Sequence, residues 1–204
     1  MIYNDKYIFV HVPKTGGMSV GGGLGGKDRN RPTHTPLRCV EKGDRFAFGF
    51  IRNPWSRMVS LYRFLCQKTF RSTDNFDQAA IRHMGFSNWL MEDSFVMAED
   101  INPAGEPWVM KTHWTGPEGT LQPMQRRPQM WWLEGCDYIG KVEDFPKSFD
   151  TALSLAGIKP RELPHVNKTK GDLWKNEYDQ QTFDFVYTHF KEDINYGGYT
   201  FDFT

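Results

Sequence analysis

The sequence is short of long hydrophobic runs, of cysteine and of any excess of charge, and each shortage excludes something. No apolar stretch approaches the ~20 residues that a membrane-spanning helix requires. Nothing near Met1 has the zones of a secretory leader, because the chain leads almost directly into a short strand-like run. Cysteine occurs three times, as Cys39, Cys66 and Cys136, an odd number with no C-x-x-C spacing. That pattern speaks against a disulfide framework and a zinc site, and for reduced thiols. Lys+Arg and Asp+Glu are each 25, so the formal net charge is zero. A surface built for polyanions is not indicated, although a local basic site remains compatible with that balance. Internal repeats and low-complexity tails are missing as well. The expectation is a soluble, cytoplasmic chain with neither membrane nor nucleic acid as partner.

What is present is one domain's worth of chain, rich in aromatics. At 204 residues folding should bury roughly 70% of the unfolded surface, enough for one core, so residues 1–204 are expected to form a single domain. Sixteen Phe, eight Tyr and seven Trp supply core area and can also line ligand clefts.

Residues 7–12 (YIFVHV) form a nearly continuous apolar run closed by Pro13, which suits a buried parallel strand. Glycines follow at 16–17 and 21–26, so the helix after that turn should be short or frayed. Residues 45–51 (RFAFGFI) predict a second strand. Phe46, Phe48 and Phe50 share one face, and Ala47 and Gly49 on the other leave room for a helix or ligand. Asn53 and Pro54 are an N-cap and a first helical residue, and Met58, Val59, Tyr62 and Leu65 recur at helical spacing. Short helices are expected at 77–83 and 87–92, and long loops between 103 and 128. Residues 136–142 predict a third strand. Helices are expected at 146–156, with Phe149, Ala152, Leu153 and Ala156 inward, and at 179–194. The second would turn Phe183, Val186, Tyr187, Phe190 and Ile194 to one stripe. Strand, loop, helix and strand in that order favour an α/β fold, one parallel sheet flanked by helices.

The chemistry concentrates in two segments. Pro13-Lys14-Thr15-Gly16-Gly17-Met18-Ser19 directly follows the first strand. A glycine turn opening a helix presents backbone N–H groups to an anion. Lys14 adds a mobile cation there, and Thr15 and Ser19 add hydroxyls. A lone Gly-Gly is also what an ordinary strand-to-helix turn looks like. The kinase pattern G-x-x-x-x-G-K-[ST] is absent, because the lysine here precedes the glycines. The second segment runs from Arg52 to Tyr62, with Arg52 at a strand end and Ser60 two turns into the next helix. Ligands of open parallel sheets bind beyond the carboxyl ends of the strands. Lys14 and Arg52 can therefore converge on one ligand with two separated phosphates, with Arg52 as a bidentate clamp and Ser60 as a hydroxyl donor. Arg57 could join them or be a solvated surface residue.

These two segments resemble the 5′-phosphosulfate loop and the 3′-phosphate segment of sulfotransferases that use 3′-phosphoadenosine-5′-phosphosulfate (PAPS), most of all membrane-free bacterial or viral relatives of the carbohydrate sulfotransferases. Further likenesses follow in order: His34-Thr35-Pro36-Leu37, Gln129-Met130-Trp131-Trp132-Leu133, the strand end Ile139-Gly140-Lys141-Val142-Glu143, Leu163-Pro164-His165-Val166-Asn167, and Asp193 to Phe201. Met18 departs from the family, standing where a hydroxyl residue is common, and the glycine run 21–26 is unusually long.

The resemblance implies a P-loop-NTPase-like α/β fold and transfer of a sulfuryl group from PAPS to a hydroxyl, without a metal. It implies a cofactor site of Lys14, Thr15, Gly16, Gly17, Met18, Ser19, Arg52, Ser60, Lys168 and Lys170. Lys14 would stabilise the leaving phosphate, while Trp131 and Trp132 could stack on a ring or pack in the core. Six histidines compete for the base, namely His11, His34, His83, His113, His165 and His189. His34 stands where the family has its catalytic histidine, and Glu143 is the carboxylate alternative. A glycan is the expected acceptor. The rivals are a small-molecule kinase on a related fold and a non-catalytic module that binds the desulfated product (PAP) or a glycan.

Overall fold

The computed structural model describes residues 1–25, 34–66, 78–91, 127–164 and 174–202. They belong to two compact units, the first holding residues 1–52 and 129–164 of those described, the second the remainder.

The first unit is built on a four-stranded sheet in the order β1 (Ile2–Tyr3), β2 (Tyr7–Val10), β3 (Phe46–Ile51) and β4 (Tyr138–Lys141). The last three strands run parallel, with Phe9 opposite Phe48 and Phe50 opposite Gly140, while β1 returns antiparallel on β2. The three expected strands are all present, each shorter by one to three residues than the run that announced it. The two-residue edge strand β1 was not expected, since so short a run carries no periodicity.

Both faces of this sheet are covered, as the continuous apolar runs require. On one face Tyr7, Phe9, Phe48 and Phe50 pack with Val20 and Leu24, and with Phe149, Ala152 and Leu153. Val20 belongs to α1 (Gly17–Gly23), a helix of two turns, as the glycine run led us to expect. The other three belong to α5 (Phe145–Leu155), whose inward residues are those the spacing gave. On the opposite face Gly49 admits α4 (Gln129–Leu133): a Cβ at Gly49 would fall on the Leu133 side chain. The small residue in β3 thus serves a helix. Asp137 ties β4 to β3, its backbone N–H donating to Ala47 O at 2.7 Å and its carboxylate accepting from Ala47 N–H at 2.7 Å.

The second unit is helical. Asn53 caps α2 (Pro54–Leu65), its side chain accepting from Ser56 N–H at 3.2 Å, with Pro54 in the first turn as the sequence indicated. The two short helices expected around residues 77–92 correspond to α3 (Gln78–Met91), which breaks at Gly85, where φ is 77° and ψ is 168°. The single helix expected over 179–194 is two, α6 (Gln180–His189) and α7 (Lys191–Gly197), separated at Phe190. Glu192 and Asp193 in the first turn of α7 favour a fresh N-terminus at that point. Phe190 and Ile194 still reach the core, which also holds Trp55, Met58, Leu61, Trp89, Tyr178 and Val186. Tyr187, expected on the inward stripe, is instead exposed within α6, its ring stacked 6.1 Å from that of Phe183 at the margin of the stripe. Tyr178 is a core residue whose hydroxyl donates to Trp55 O at 2.8 Å, and burial pushes its pKa well above the usual phenol value. Arg57 is not a surface residue: it is fully buried and donates from Nη1 to Arg127 O at 3.0 Å.

Among the described residues no helix is long and apolar enough to cross a membrane. Of the loops expected between 103 and 128, residues 103–126 lie outside the described residues.

Candidate active site

Beyond the carboxyl end of β2 the chain makes a tight turn over Pro13–Gly16 before α1 begins. Lys14 has a φ of 67°, the only positive value at a non-glycine position among the described residues. That conformation costs an L-residue roughly 1–2 kcal/mol, so the surrounding turn must hold it. Thr15 closes the turn by donating from its hydroxyl to Val12 O at 3.0 Å. The hydroxyl proton, expected to serve an anion, is thereby committed within the turn. Gly16 follows with φ of 75° as the N-cap of α1. A Cβ there would lie 2.5 Å from Phe145 Cε1, so this position needs glycine for conformation and for room alike. Left-handed residues in such a turn swing successive N–H groups to a common side, which is how a backbone anion nest is built. Met18 is exposed in the first turn of α1, and Ser19 is buried.

Arg52 directly follows β3, the strand parallel to and beside β2, so the two cations lie past neighbouring strand ends. They meet: Arg52 Nη1 stands 3.5 Å from Lys14 O, a long hydrogen bond. Burial, and then the Arg52 charge, bring the Lys14 ammonium down from 10.5 to about 8. Two cations held together in a part-buried place are mutually unfavourable until an anion joins them. The donor set of paired cations with a glycine turn suits a phosphate or sulfate ester.

Arg52 itself is fixed from α4. Gln129, fully buried, donates from Nε2 to Arg52 O and accepts at Oε1 from Arg52 N–H, each at 2.8 Å. The sequence placed Gln129 in a family-like segment but gave it no role. The pairing joins residues 77 apart in the chain, and local spacing carries no signal for it.

His34 also belongs to this unit. Its Nδ1 lies 2.8 Å from His11 O. A carbonyl can only accept, so His34 donates through Nδ1–H and the neutral ring carries its acceptor lone pair on Nε2. That is the tautomer a general base needs. The His34 ring is 4.4 Å from that of His11 and 6.5 Å, edge-on, from Trp132. Trp132 is wholly buried and so packs rather than offering a face to a ligand. Its neighbour Trp131 is part-buried, with Arg38 3.9 Å above its ring. Glu143 sits exposed just past β4, in a short 3-10 turn at Val142–Asp144.

The structure therefore brings together Lys14, Thr15, Gly16, Gly17 and Arg52, with His34 bound to the same segment through His11. Ser60 lies on α2, part-buried, in the second unit. Lys168 and Lys170, with His113 and His165, lie outside the described residues. His83 and His189 are exposed, and His189 Nδ1 donates to Phe185 O within α6 at 2.8 Å.

A mostly parallel α/β sheet with a glycine turn and two cations beyond neighbouring strand ends is an arrangement suited to binding an anion. The family model described as the sulfotransferase family matches residues 26–200, and the chain belongs to that family, one of transferases. The match begins after the Lys14 turn, so that turn is an observation independent of it. Comparison with curated proteins and with solved structures returns no match.

Proposed function

We propose that the protein is a PAPS-dependent sulfotransferase acting on a hydroxyl acceptor, with a glycan as the first choice. The observation that carries this reading is the meeting of Lys14 and Arg52 past neighbouring parallel strands, in a chain of the sulfotransferase family. PAPS would supply the sulfuryl group. The 5′ end of the donor would lie against the N–H groups of Thr15, Gly16, Gly17 and Met18, with the Ser19 hydroxyl beside them and the Lys14 ammonium as counter-charge. Arg52 would clamp the 3′-phosphate, joined by Ser60, Lys168 and Lys170.

In this mechanism His34 Nε2 takes the proton from the acceptor hydroxyl as its oxygen forms the new bond to sulfur. Lys14 balances the charge that collects on the departing phosphate oxygen, an electrostatic contribution made where water is largely excluded. No residue forms a covalent bond with the group in transit. Glu143 is the alternative base. The tautomer that the His11 carbonyl imposes on His34 favours the histidine. The family match extends through both compact units, which supports treating residues 1–204 as one functional domain.

The test is calorimetric titration with PAP, using ATP and Mg²⁺ as control, on the wild type and on Arg52→Ala. Selective PAP binding that Arg52→Ala weakens by about a hundredfold, the loss of one charged bidentate contact, supports the assignment. Preference for ATP with Mg²⁺ would replace it with the kinase. Tight PAP binding with no sulfate transfer to any of a broad acceptor panel would replace it with the non-catalytic module.

A further inference from the structure

His11 was among the competing histidines and has no role in the transfer proposed above, yet three residues converge on it. Its carbonyl accepts the Nδ1–H of His34 at 2.8 Å. Its ring lies 4.4 Å from the His34 ring and is stacked at 5.8 Å and 21° on Phe9, a core residue of β2. Its imidazole also fills the place where a Cβ of Gly17 would stand, so the ring rests on the first residue of α1.

Such an arrangement has a mechanical consequence. The imidazole is a buried wedge with the Phe9 ring behind it, Gly17 of the anion turn beside it and His34 on a further side. Side chains wedged among packed neighbours hold few rotamers, so His11 transmits the position of β2 and of the turn to His34. The carbonyl chooses the tautomer, and the ring keeps His34 where that hydrogen bond can form. The next carbonyl, Val12 O, binds Thr15 in the turn. Two consecutive residues thus fix base and turn from one short piece of backbone.

We propose that His11 is the positioning residue of the site, holding His34 in one tautomer and at a fixed offset from the glycine turn. This gives the base assignment above its structural cause and rests on it for its purpose, but the geometry can be measured apart from transfer. The measurement is long-range ¹H–¹⁵N correlation on the imidazoles of the full-length protein, above the usual histidine pKa range. Wild type, His11→Ala and His11→Phe are compared, with PAP calorimetry on each as the check on folding.

In the wild type the two His34 nitrogens should be well separated, with Nδ1 protonated. In His11→Ala they should move towards a common average as the ring turns and exchanges tautomers. His11→Phe restores a flat aromatic wedge and should restore the separation. Where a transferring acceptor is known, kcat of His11→Ala should fall between about tenfold and a hundredfold, as expected of a misplaced catalytic group, with the KM for PAPS within about twofold.

A wild-type His34 protonated on Nε2 overturns the proposal without any variant. So does a His11→Ala spectrum like that of the wild type, or a His11→Phe spectrum as averaged as that of His11→Ala. If His34→Ala transfers sulfate at the wild-type rate, the base assignment fails by itself. The nitrogen shifts then still decide whether His11 holds the ring.

Discussion

Gln129 binds the main chain of Arg52 from both sides, its amide donating to Arg52 O and accepting from Arg52 N–H, each at 2.8 Å. Among uncharged side chains only an amide presents a donor and an acceptor side by side in this way, and asparagine is one methylene too short for the same reach. An apolar residue of similar volume would leave a carbonyl and an N–H without partners in a part-buried place. Gln129→Leu should therefore destabilise the protein by about 1–3 kcal/mol, read from the urea midpoint. It should also weaken PAP binding by about tenfold or more, because Arg52 loses its anchor. Unchanged PAP affinity in Gln129→Leu would mean that Arg52 is held by its strand alone.

The helix that carries Gln129 reaches β3 only because residue 49 has no side chain. A Cβ there falls on Leu133 and lies 3.1 Å from Val10 O. Gly49→Ala should cost about 1–3 kcal/mol through overpacking. Combining it with Leu133→Ala should cost less than the sum of the two single changes, since the smaller residue 133 makes room for the new methyl. The coupling should reach about 1 kcal/mol in a urea double-mutant cycle. Recovery will be partial, because the Val10 carbonyl stays where it is. Strict additivity would show that α4 is not seated on Gly49.

How much of this could be read beforehand depended on whether the cause was local. The three parallel strands were visible as continuous apolar runs, α2 was visible through Asn53 and Pro54, and the anion turn through Lys14 and its glycines. The close approach at Gly49 was anticipated without its occupant, because the sequence shows that a side chain is missing but not what fills the space. The breaks were harder. An apolar stripe from Phe183 to Ile194 reads as one helix, and the break at Phe190 becomes visible only through the backbone. Arg57 and Gln129 escaped for a further reason: the carbonyl of Arg127 and the main chain of Arg52 that satisfy them are far away in sequence. A polar residue reads as a surface residue until its distant partner is known.

Lys14 carries a strain that a substitution series can isolate. Its φ of 67° is unfavourable for any residue with a Cβ. Lys14→Ala removes the ammonium and keeps the strain, whereas Lys14→Gly removes both. Lys14→Gly should be more stable than Lys14→Ala by about 1 kcal/mol, the left-handed penalty of about 1–2 kcal/mol less the extra unfolded-state entropy of glycine. Both variants should lose sulfate transfer and keep the fold by circular dichroism. Near-normal turnover in Lys14→Ala would remove Lys14 from the mechanism. A less stable Lys14→Gly would mean that the turn is not strained at this residue.

The same lysine should make donor binding sensitive to alkaline pH. In the protein without ligand it titrates at about 8, lowered by burial and then by the Arg52 charge. A bound phosphate or sulfate ester favours the ammonium form, so the pKa of Lys14 is higher in the complex than in the free protein. The binding contribution is therefore fully present below the free value. Above about 8, binding has to take up a proton, and affinity should fall by up to about tenfold per pH unit until the pKa of the complex is passed. Calorimetry with PAP between about pH 7.5 and 9.5, repeated in buffers of different ionisation enthalpy, reads both the loss of affinity and the proton uptake. Lys14→Met should bind PAP more weakly throughout and lose the uptake, because the group that titrates is gone. Wild-type affinity that stays flat across this range, with no proton uptake at its upper end, would show that Lys14 does not face the bound anion. Arg52 would then be the one cation of the pair assigned to it.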